Sequence, residues 1–252
     1  FVYRIHDKPK PDKFDQFANF IVQFGLNVER GENANISKSL NEVLDAVKGK
    51  KEGNMIQTLA VRTMAKAEYS TNNIGHYGLA FDYYSHFTSP IRRYPDVMVH
   101  RLLQHYLDGG KTADENEYEE KCIHSSKMEK QASDAERDSI KYKQVEFMSK
   151  HLGERFKAII SGVTDWGIYA EIQENLCEGM ISIRNLTDDT YVLDADNYCI
   201  IGQTTGNKYQ MGDEILVEIK NADLSKKQLD FTLVDSLEKP EPDYGKEWDF
   251  EI

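Results

Sequence analysis

The most informative part of this chain is the stretch Tyr84-Ser85-His86-Phe87-Thr88-Ser89-Pro90-Ile91-Arg92-Arg93-Tyr94-Pro95-Asp96. Its two adjacent arginines lie between two prolines, and proline restricts the backbone. A planar guanidinium binds two phosphate oxygens at once and can stabilise charge that develops in a transition state. We therefore expect Arg92 and Arg93 to be aimed at a phosphate before the ligand arrives.

Hydroxyl groups and aromatic rings surround this arginine pair in the sequence. The hydroxyls of Ser85, Thr88 and Ser89 can hold adjacent phosphates. The segment also holds four aromatic side chains that can stack on bases: Tyr77, Tyr84, Phe87 and Tyr94. The alternative is structural, because an arginine pair before a helix often forms surface ion pairs. Buried His and Tyr side chains likewise often satisfy hydrogen bonds of a core.

The composition is that of a globular protein with enough apolar material for a core. The chain has 252 residues, 40% hydrophobic and 29% charged, which excludes disorder of the whole chain. Its three cysteines form no CxxC pair and no metal-ligand spacing, so a zinc ribbon or a disulfide scaffold is not supported. No segment approaches the roughly 18 consecutive apolar residues of a membrane helix. We expect a cytoplasmic monomer without a membrane partner.

The net charge of −12 lies in the second part of the chain. Residues 1–151 hold 22 Lys and Arg against 22 Asp and Glu, whereas residues 152–252 hold 9 against 21. A uniformly basic protein that binds nucleic acid through its overall charge is therefore excluded. Any contact with phosphates must be local and must use few cations.

Apolar spacing divides the chain into a helical part and a strand-rich part. Helices are predicted over 8–26, 37–47, 54–69, 95–108 and 112–150, the last with a capping box formed by Thr112 and Glu115. Strands are predicted over 156–160, 167–172, 179–183, 214–219 and 228–233. Five short strands in about eighty residues predict a small closed barrel.

Several blocks of sequence resemble the ribonuclease R and ribonuclease II family. The C-terminal motif of its catalytic domain is similar to the block His76-Tyr77-Gly78-Leu79, the stretch 84–96 and His100-Arg101. Within it, residues 86–96 resemble ribonuclease R more than ribonuclease II. Residues 1–9 resemble an upstream block, and the barrel stands where the family carries an S1 RNA-binding domain. The implied fold is α+β: the mainly helical C-terminal part of a ribonuclease-II-type catalytic domain, followed by a five-stranded OB-fold β-barrel.

The resemblance sets the expected domain boundaries. Residues 1–151 are the incomplete catalytic domain, 152–235 the OB-fold domain and 236–252 an acidic, flexible tail in which Trp248 can dock. The chain opens at Phe1 without an initiator Met and reads there like the interior of an element, so we expect it to be part of a longer protein.

The resemblance implies a processive 3′-to-5′ exoribonuclease that hydrolyses single-stranded RNA to nucleoside 5′-monophosphates with Mg²⁺. Arg92 matches the family's arginine beside the scissile phosphate, and Arg93 is the second candidate. Glu136 matches a glutamate of the nucleotide pocket, and His76 matches a histidine of the RNA channel. The family's metal-binding aspartates are not matched in this chain. Because a divalent pair needs several convergent carboxylates, we expect this chain alone to be inactive.

The barrel is expected to contact RNA through a few side chains. Trp166 and Tyr169 match two base-stacking aromatics of the S1 family, and Asp223 and Lys227 match polar positions near its binding face. The candidate phosphate contacts are Lys157, Arg184, Lys208, Lys226 and Lys227. Residues 152–235 hold 7 Lys and Arg against 15 Asp and Glu, so we expect weak and strongly salt-dependent binding. The alternative is that both aromatics pack the barrel.

Two other classes of function remain open from the sequence. One is a non-catalytic RNA-binding or scaffold protein that reuses these domains. The other is a protein-interaction domain whose acidic barrel binds a basic partner.

Overall fold

The computed structural model describes residues 1–31, 36–50 and 52–234, and these residues form two compact units. The first unit is Phe1–Arg137, and the second begins at Asp138. The expected α+β class with a five-stranded barrel is confirmed. The predicted tail 236–252, including Trp248, lies outside the described residues. None of the helices in the described ranges combines the length and apolar content that spanning a bilayer requires.

The described residues of the first unit form a two-stranded sheet and α-helices, the last of which extends past Arg137. In chain order these are β1 (Tyr3–Ile5), α1 (Pro11–Ile21), α2 (Ile36–Ala46), α3 (Gly53–Thr63), β2 (Glu68–Ser70), α4 (Tyr94–Leu107) and α5 (Glu115–Met148). Helix α1 starts at a proline, which is favoured in a first helical turn. Its predicted apolar face is buried at Phe14, Phe17 and Ile21, and α1 packs against α3. The segment that holds the arginine pair lies between β2 and α4.

Two details of the predicted helices are wrong. The helix predicted over 54–69 ends at Thr63, because residues 68–70 pair with β1 instead, with Arg4 opposite Tyr69. That strand partner is more than sixty residues away and leaves no local signal. The predicted capping box is also absent, since the Asp114 carboxylate, and not Thr112, accepts the Glu117 N–H at 3.1 Å.

The second unit is built around a closed barrel. Up to residue 234, its strands are β3 (Arg155–Thr164), β4 (Gly167–Ile172), β5 (Glu178–Ser182), β6 (Tyr191–Asp194), β7 (Cys199–Gly202), β8 (Lys208–Gln210), β9 (Glu214–Asp223) and β10 (Gln228–Leu233). The barrel closes in the order β10-β5-β4-β3-β9, and only β5 and β10 run parallel. Inward side chains such as Ile168, Ile181 and Phe231 are fully buried. The separate sheet β6-β7-β8 was not predicted, because its strands have only three or four residues.

A glycine makes the tight β3–β4 turn possible. Gly167 has a φ of 150°, and a Cβ built on it would lie 2.0 Å from the Ile181 carbonyl oxygen. The turn is further closed by a hydrogen bond from the Ile183 N–H to the Trp166 carbonyl oxygen at 2.9 Å. The turn therefore presents the Trp166 ring outward, with 72% of the residue exposed.

Candidate functional site

The arginine pair lies in a turn that is fastened to the first turn of α4. The Ser89 carbonyl oxygen accepts hydrogen bonds from the backbone N–H groups of Arg92 at 3.3 Å and Arg93 at 3.1 Å. The Asp96 carboxylate Oδ1 accepts two more, from the Ser89 N–H at 2.8 Å and from Arg93 Nη2 at 2.9 Å. One buried oxygen therefore holds both ends of the turn.

The Asp96 carboxylate is fully buried, and its electrostatics fit an ion pair. Burial by itself raises the pKa of Asp96, but the Ser89 N–H and the Arg93 guanidinium outweigh burial and leave this pKa below its usual value. Among the described residues, Asp96 Oδ2 and Arg93 Nε are buried atoms without a hydrogen-bond partner. Asp96 is therefore an anion at neutral pH that is committed to Arg93 and to the turn.

The two arginines differ in their surroundings. Arg93 is half-buried in its ion pair, whereas Arg92 is exposed. Within the described ranges, no hydrogen bond or ion pair of the Arg92 guanidinium occurs. The flanking prolines restrict the backbone, but they do not fix the side-chain torsions of an arginine. Only Arg93 is therefore held in one orientation, and Arg92 is available to an anion.

A second contact fastens the same loop to α4. His100 Nε2 lies 2.7 Å from the Phe87 carbonyl oxygen, and its ring stacks on the Phe87 ring with centroids 4.1 Å apart. His100 follows Asp96 by four residues, so both side chains point from one face of α4. The loop 87–93 is therefore anchored at Phe87, Ser89 and Arg93.

Behind this loop, histidine and tyrosine rings form a continuous row. His6 contacts His76 at 5.1 Å between centroids, His76 contacts Tyr84 at 5.1 Å, and Tyr84 contacts His86 at 5.7 Å. The row ends where the hydroxyl of Tyr69 lies 2.9 Å from His86 Nδ1. The Arg4 guanidinium covers the Tyr69 ring at 4.6 Å and pairs with Glu129 of α5 at 2.6 Å.

The two histidines next to Tyr84 share an electrostatic property. Burial, followed by nearby positive groups, lowers the pKa of both side chains below 6.5. For His76 the nearby group is His6, and for His86 it is Arg93, with Arg4 further contributing. Both rings are therefore kept neutral at physiological pH.

The other predicted residues of this segment divide into packed and exposed ones. Tyr84 is enclosed by ring contacts, and Ser85 donates its hydroxyl to the Val2 carbonyl oxygen at 2.7 Å. Tyr77 and Ser89 are half-buried, and the Tyr77 hydroxyl is one of the buried atoms without a partner among the described residues. Thr88, Phe87 and Tyr94 are exposed. The exposed residues are the ones free to meet a ligand.

Glu136 lies on α5 and is exposed. It follows Glu129 by seven residues, so it lies on the same helix face about 10 Å further along the axis. No hydrogen bond or ion pair joins Glu136 to the arginine loop among the described residues.

Sequence reasoning assigned no role to several residues that shape this site. The loop is held by Asp96 and His100, and the row of rings ends at His86 and Tyr69. Tyr83 is an exposed ring, with 74% of the residue accessible. The spacing of Asp96 and His100 by four residues on a predicted helix was the available signal. Tyr69 gave none, because its strand is formed by distant pairing.

On the barrel, the predicted RNA-contact residues differ in exposure and in their ion pairs. Trp166 is exposed and Tyr169 is half-buried beside Met180 of the neighbouring strand. Lys157 is exposed and, within the described ranges, makes no side-chain hydrogen bond or ion pair. Lys227 instead contacts the Asp138 carboxylate, at 2.5 Å between Nζ and Oδ2.

The described part of the chain holds no cluster of candidate metal ligands at the predicted site. No group of three or more His, Cys, Asp or Glu side chains able to hold a metal ion occurs among the described residues. A pocket of about 380 Å³ lies on α5, lined by residues from Ser139 to Phe147, and includes none of the predicted site residues.

Comparisons with known proteins identify both parts of the chain. Residues 1–109 match the family model of the RNB domain, and residues 150–233 match that of the S1 RNA binding domain. Ribonuclease R of Aquifex aeolicus is 38% identical over 243 residues, which are 95% of this chain and 34% of the relative. The chain thus spans about a third of the length of the curated relatives it matches.

Solved structures agree with these matches. Mycoplasma genitalium RNase R, in its apo form and in complex with ribose methylated single-stranded RNA, has TM-scores of 0.84 and 0.83, with 26% identity over 93% of this chain and 38% of that chain. Yeast Ssd1, described as a pseudonuclease, shares the fold at a TM-score of 0.59, with 22% identity over 88% of this chain and 26% of its own. The resemblance found in the sequence is confirmed: the chain carries RNB-domain sequence followed by an S1 domain and is similar to ribonuclease R over 95% of its length.

Proposed function

We propose that this chain is part of a processive 3′-to-5′ exoribonuclease that hydrolyses single-stranded RNA to nucleoside 5′-monophosphates. The observation that carries the proposal is the exposed Arg92 on the anchored loop before α4, in a chain that is similar to ribonuclease R over most of its length. The structure of Mycoplasma genitalium RNase R in complex with ribose methylated single-stranded RNA supports RNA as the partner.

In this proposal, Arg92 acts on the phosphate that is cut. Water attacks the phosphorus of the 3′-terminal phosphodiester, the bond from phosphorus to the preceding O3′ breaks, and a nucleoside 5′-monophosphate leaves. Negative charge builds up on the phosphoryl oxygens during this step, and a guanidinium binds two such oxygens. Arg93 is assigned a holding role, because its charge is already compensated by Asp96.

The remaining residues of the first unit are assigned to guiding RNA. The exposed rings of Phe87 and Tyr94 offer stacking surfaces, and the hydroxyl of Thr88 can donate to a phosphate. His76, Tyr77, Tyr84, Ser85 and Ser89 are assigned to the supporting layer, where an incoming strand meets them less directly. Glu136 is assigned to the nucleotide pocket only through the family match.

The S1 barrel is proposed to hold RNA weakly and without sequence preference. Stacking on the exposed Trp166 tolerates every base, which suits an enzyme that degrades RNA of any sequence. The half-buried Tyr169 and the free cation of Lys157 add to this surface. The acidic excess of the domain limits affinity and makes binding sensitive to salt.

Mg²⁺ is proposed to serve the whole enzyme through ligands that this chain does not supply. The described residues do not fit a divalent site, since no cluster of at least three candidate ligands occurs among them. We therefore assign no metal ligand here and expect no Mg²⁺-dependent turnover by this chain alone. A reduced cytoplasmic setting and a monomeric state remain part of the proposal, and the three cysteines are unpaired and buried.

The competing function is a non-catalytic RNA-binding or scaffold protein. This alternative stays open because the chain shares its fold with a protein described as a pseudonuclease. A shared fold does not establish a shared chemistry. The two functions differ in one outcome: both bind RNA, but only the enzyme cuts it.

The test uses the full-length protein that contains this chain, with Mg²⁺ and an unstructured oligoribonucleotide. With a label at the 3′ end, labelled nucleoside 5′-monophosphate should appear first, and with a label at the 5′ end the substrate should disappear without accumulating long intermediates. A deoxyribonucleotide of the same sequence is the control. Binding without any cleavage, in a preparation that folds normally, supports the scaffold and contradicts the enzyme.

A further inference from the structure

The loop that carries Arg92 is fixed at its ends and open at its tip. Ile91 is 102% exposed, and Arg92 and Thr88 are exposed as well. The flanking residues Phe87 and Arg93 are bound to side chains of α4. The exposed tip is therefore not held by packing of its own side chains, and its position depends on the anchors.

The first anchor is an ion pair inside the protein. Asp96 has no exposed surface, and its Oδ1 binds both the Ser89 N–H and the Arg93 guanidinium. Removing one partner of a buried, hydrogen-bonded pair leaves the other charge uncompensated. The Asp96 carboxylate therefore ties the start and the end of the arginine turn to α4.

The second anchor is independent of charge. His100 Nε2 donates to the Phe87 carbonyl oxygen at 2.7 Å, and the stacked rings fix the direction in which the chain enters the loop. His100 is exposed and lies at the surface of α4. Its contact is therefore one that can be removed without opening a cavity in the core.

We propose that Asp96 and His100 are positioning residues, which hold the loop 87–93 on α4 so that Arg92 meets the phosphate that is cut. The inference rests on the proposed nuclease function and adds two residues to it. Neither residue is assigned contact with RNA. Asp96 acts through the Ser89 N–H and the Arg93 side chain, and His100 through the Phe87 carbonyl oxygen and ring. Both residues are expected to influence the rate through Arg92.

The size of the effect follows from the precision that catalysis needs. A displacement of about 1 Å at a reacting group can lower a rate by up to about 100-fold. When one anchor is removed, the other still holds the loop. The expected decrease in rate is therefore smaller than about 100-fold. We expect a fall in kcat of about tenfold for one anchor, with KM for RNA changed by less than about twofold.

The experiment compares two histidines of the same helix in the full-length protein. His100→Ala removes the contact with the loop, whereas His105→Ala removes a bond of the same kind, from His105 Nε2 to the Lys111 carbonyl oxygen at 2.7 Å, that lies away from the loop. His100→Ala should lower kcat about tenfold, and His105→Ala should leave it unchanged. His100→Gln keeps an N–H donor of similar reach and should restore most of the rate.

Asp96→Asn is the second, more severe variant. The amide oxygen can still accept the Ser89 N–H, but the ion pair with Arg93 is lost. Because this substitution also weakens the fold, its rate is compared only at a temperature where circular dichroism shows the folded state. A lower kcat with normal KM is expected there.

A double-mutant cycle with Arg92→Ala separates the two levels of the proposal. If the anchors act through Arg92, adding His100→Ala to Arg92→Ala lowers kcat no further. If Arg92→Ala lowers the rate but His100→Ala has no effect, or lowers it by the same factor in both backgrounds, the anchoring role is contradicted. If Arg92→Ala itself leaves the rate unchanged, the proposed role of Arg92 fails first.

Discussion

Lys227 and Asp138 form an ion pair in the second unit, with Lys227 Nζ 2.5 Å from Asp138 Oδ2. Lys227 is a predicted phosphate contact of the S1 barrel, and Asp138 belongs to α5. The carboxylate compensates the lysine before any RNA arrives. The free Lys157 is not compensated in this way.

Charge neutralisation should therefore affect RNA binding unequally. Lys157→Ala should weaken binding of an oligouridylate by this chain and reduce the slope of log K against log salt by about 0.7, as expected for one lost contact with a single strand. Lys227→Ala should do less, and Asp138→Asn should strengthen binding. Fluorescence anisotropy at several salt concentrations measures all three. If Lys227→Ala weakened RNA binding more than Lys157→Ala, the ion pair with Asp138 would not reduce the contribution of Lys227, which contradicts the prediction.

Trp166 should supply most of the stacking surface of the barrel. Its removal in Trp166→Ala should weaken binding of single-stranded RNA by ~1–3 kcal/mol, which is about 5-fold to 150-fold. Leu176→Ala is the matched control, because Leu176 is also apolar and 61% exposed in the same domain. Equal losses for both variants in a titration would indicate a general surface effect and remove the stacking role.

The β3–β4 turn should not tolerate a side chain at Gly167. The added Cβ meets the Ile181 carbonyl oxygen, and the backbone φ of 150° is strained for other residues. Gly167→Ala should lower the free energy of unfolding of the barrel by about 3 kcal/mol. Gly162→Ala is the control, since a Cβ there meets nothing within 4 Å. Denaturant unfolding that gives the same midpoint for both variants contradicts the turn geometry.

The lowered pKa of His86 predicts a pH dependence of stability. The unfolded chain takes up a proton on this side chain near pH 6.5, before the folded protein does, so the first unit should lose stability as pH falls below 6.5. His76 contributes in the same direction. His86→Gln should make the stability of the first unit depend less on pH between pH 7.5 and 5.5, as measured by hydrogen exchange of the Tyr69 amide. His124 is exposed, and His124→Gln should leave this pH dependence unchanged. An unchanged slope in His86→Gln would argue against a neutral, half-buried His86.

The sequence alone predicts the barrel better than the small sheets. The strands around Ile168 and Ile181 alternate buried residues with more accessible ones, and such a pattern depends only on local order. The strand at Tyr69 has three residues and exists because β1 pairs with it across the fold. This pairing is set by tertiary structure, and the periodicity of apolar residues carries no information about such long-range contacts.

For the site, the sequence predicts the arginine motif but not the different roles of its two arginines. Arg92 and Arg93 are equivalent by chemistry, and only their contacts distinguish them. Asp96 captures Arg93 because that guanidinium turns toward the buried first turn of α4. The selection of Arg92 as the free cation therefore follows from packing and not from composition.

The role of Arg92 is tested most directly by single-turnover cleavage with the full-length protein, comparing Arg92→Ala and Arg92→Lys with the parent at saturating RNA. Arg92→Ala should lower the cleavage rate by about 100-fold or more, with RNA affinity changed by only a few-fold, because the guanidinium is needed chiefly in the transition state. Arg92→Lys should recover only part of the rate, since an ammonium cannot bind two oxygens in the same plane. Cleavage at the parent rate by Arg92→Ala, in protein shown to be folded, contradicts the account.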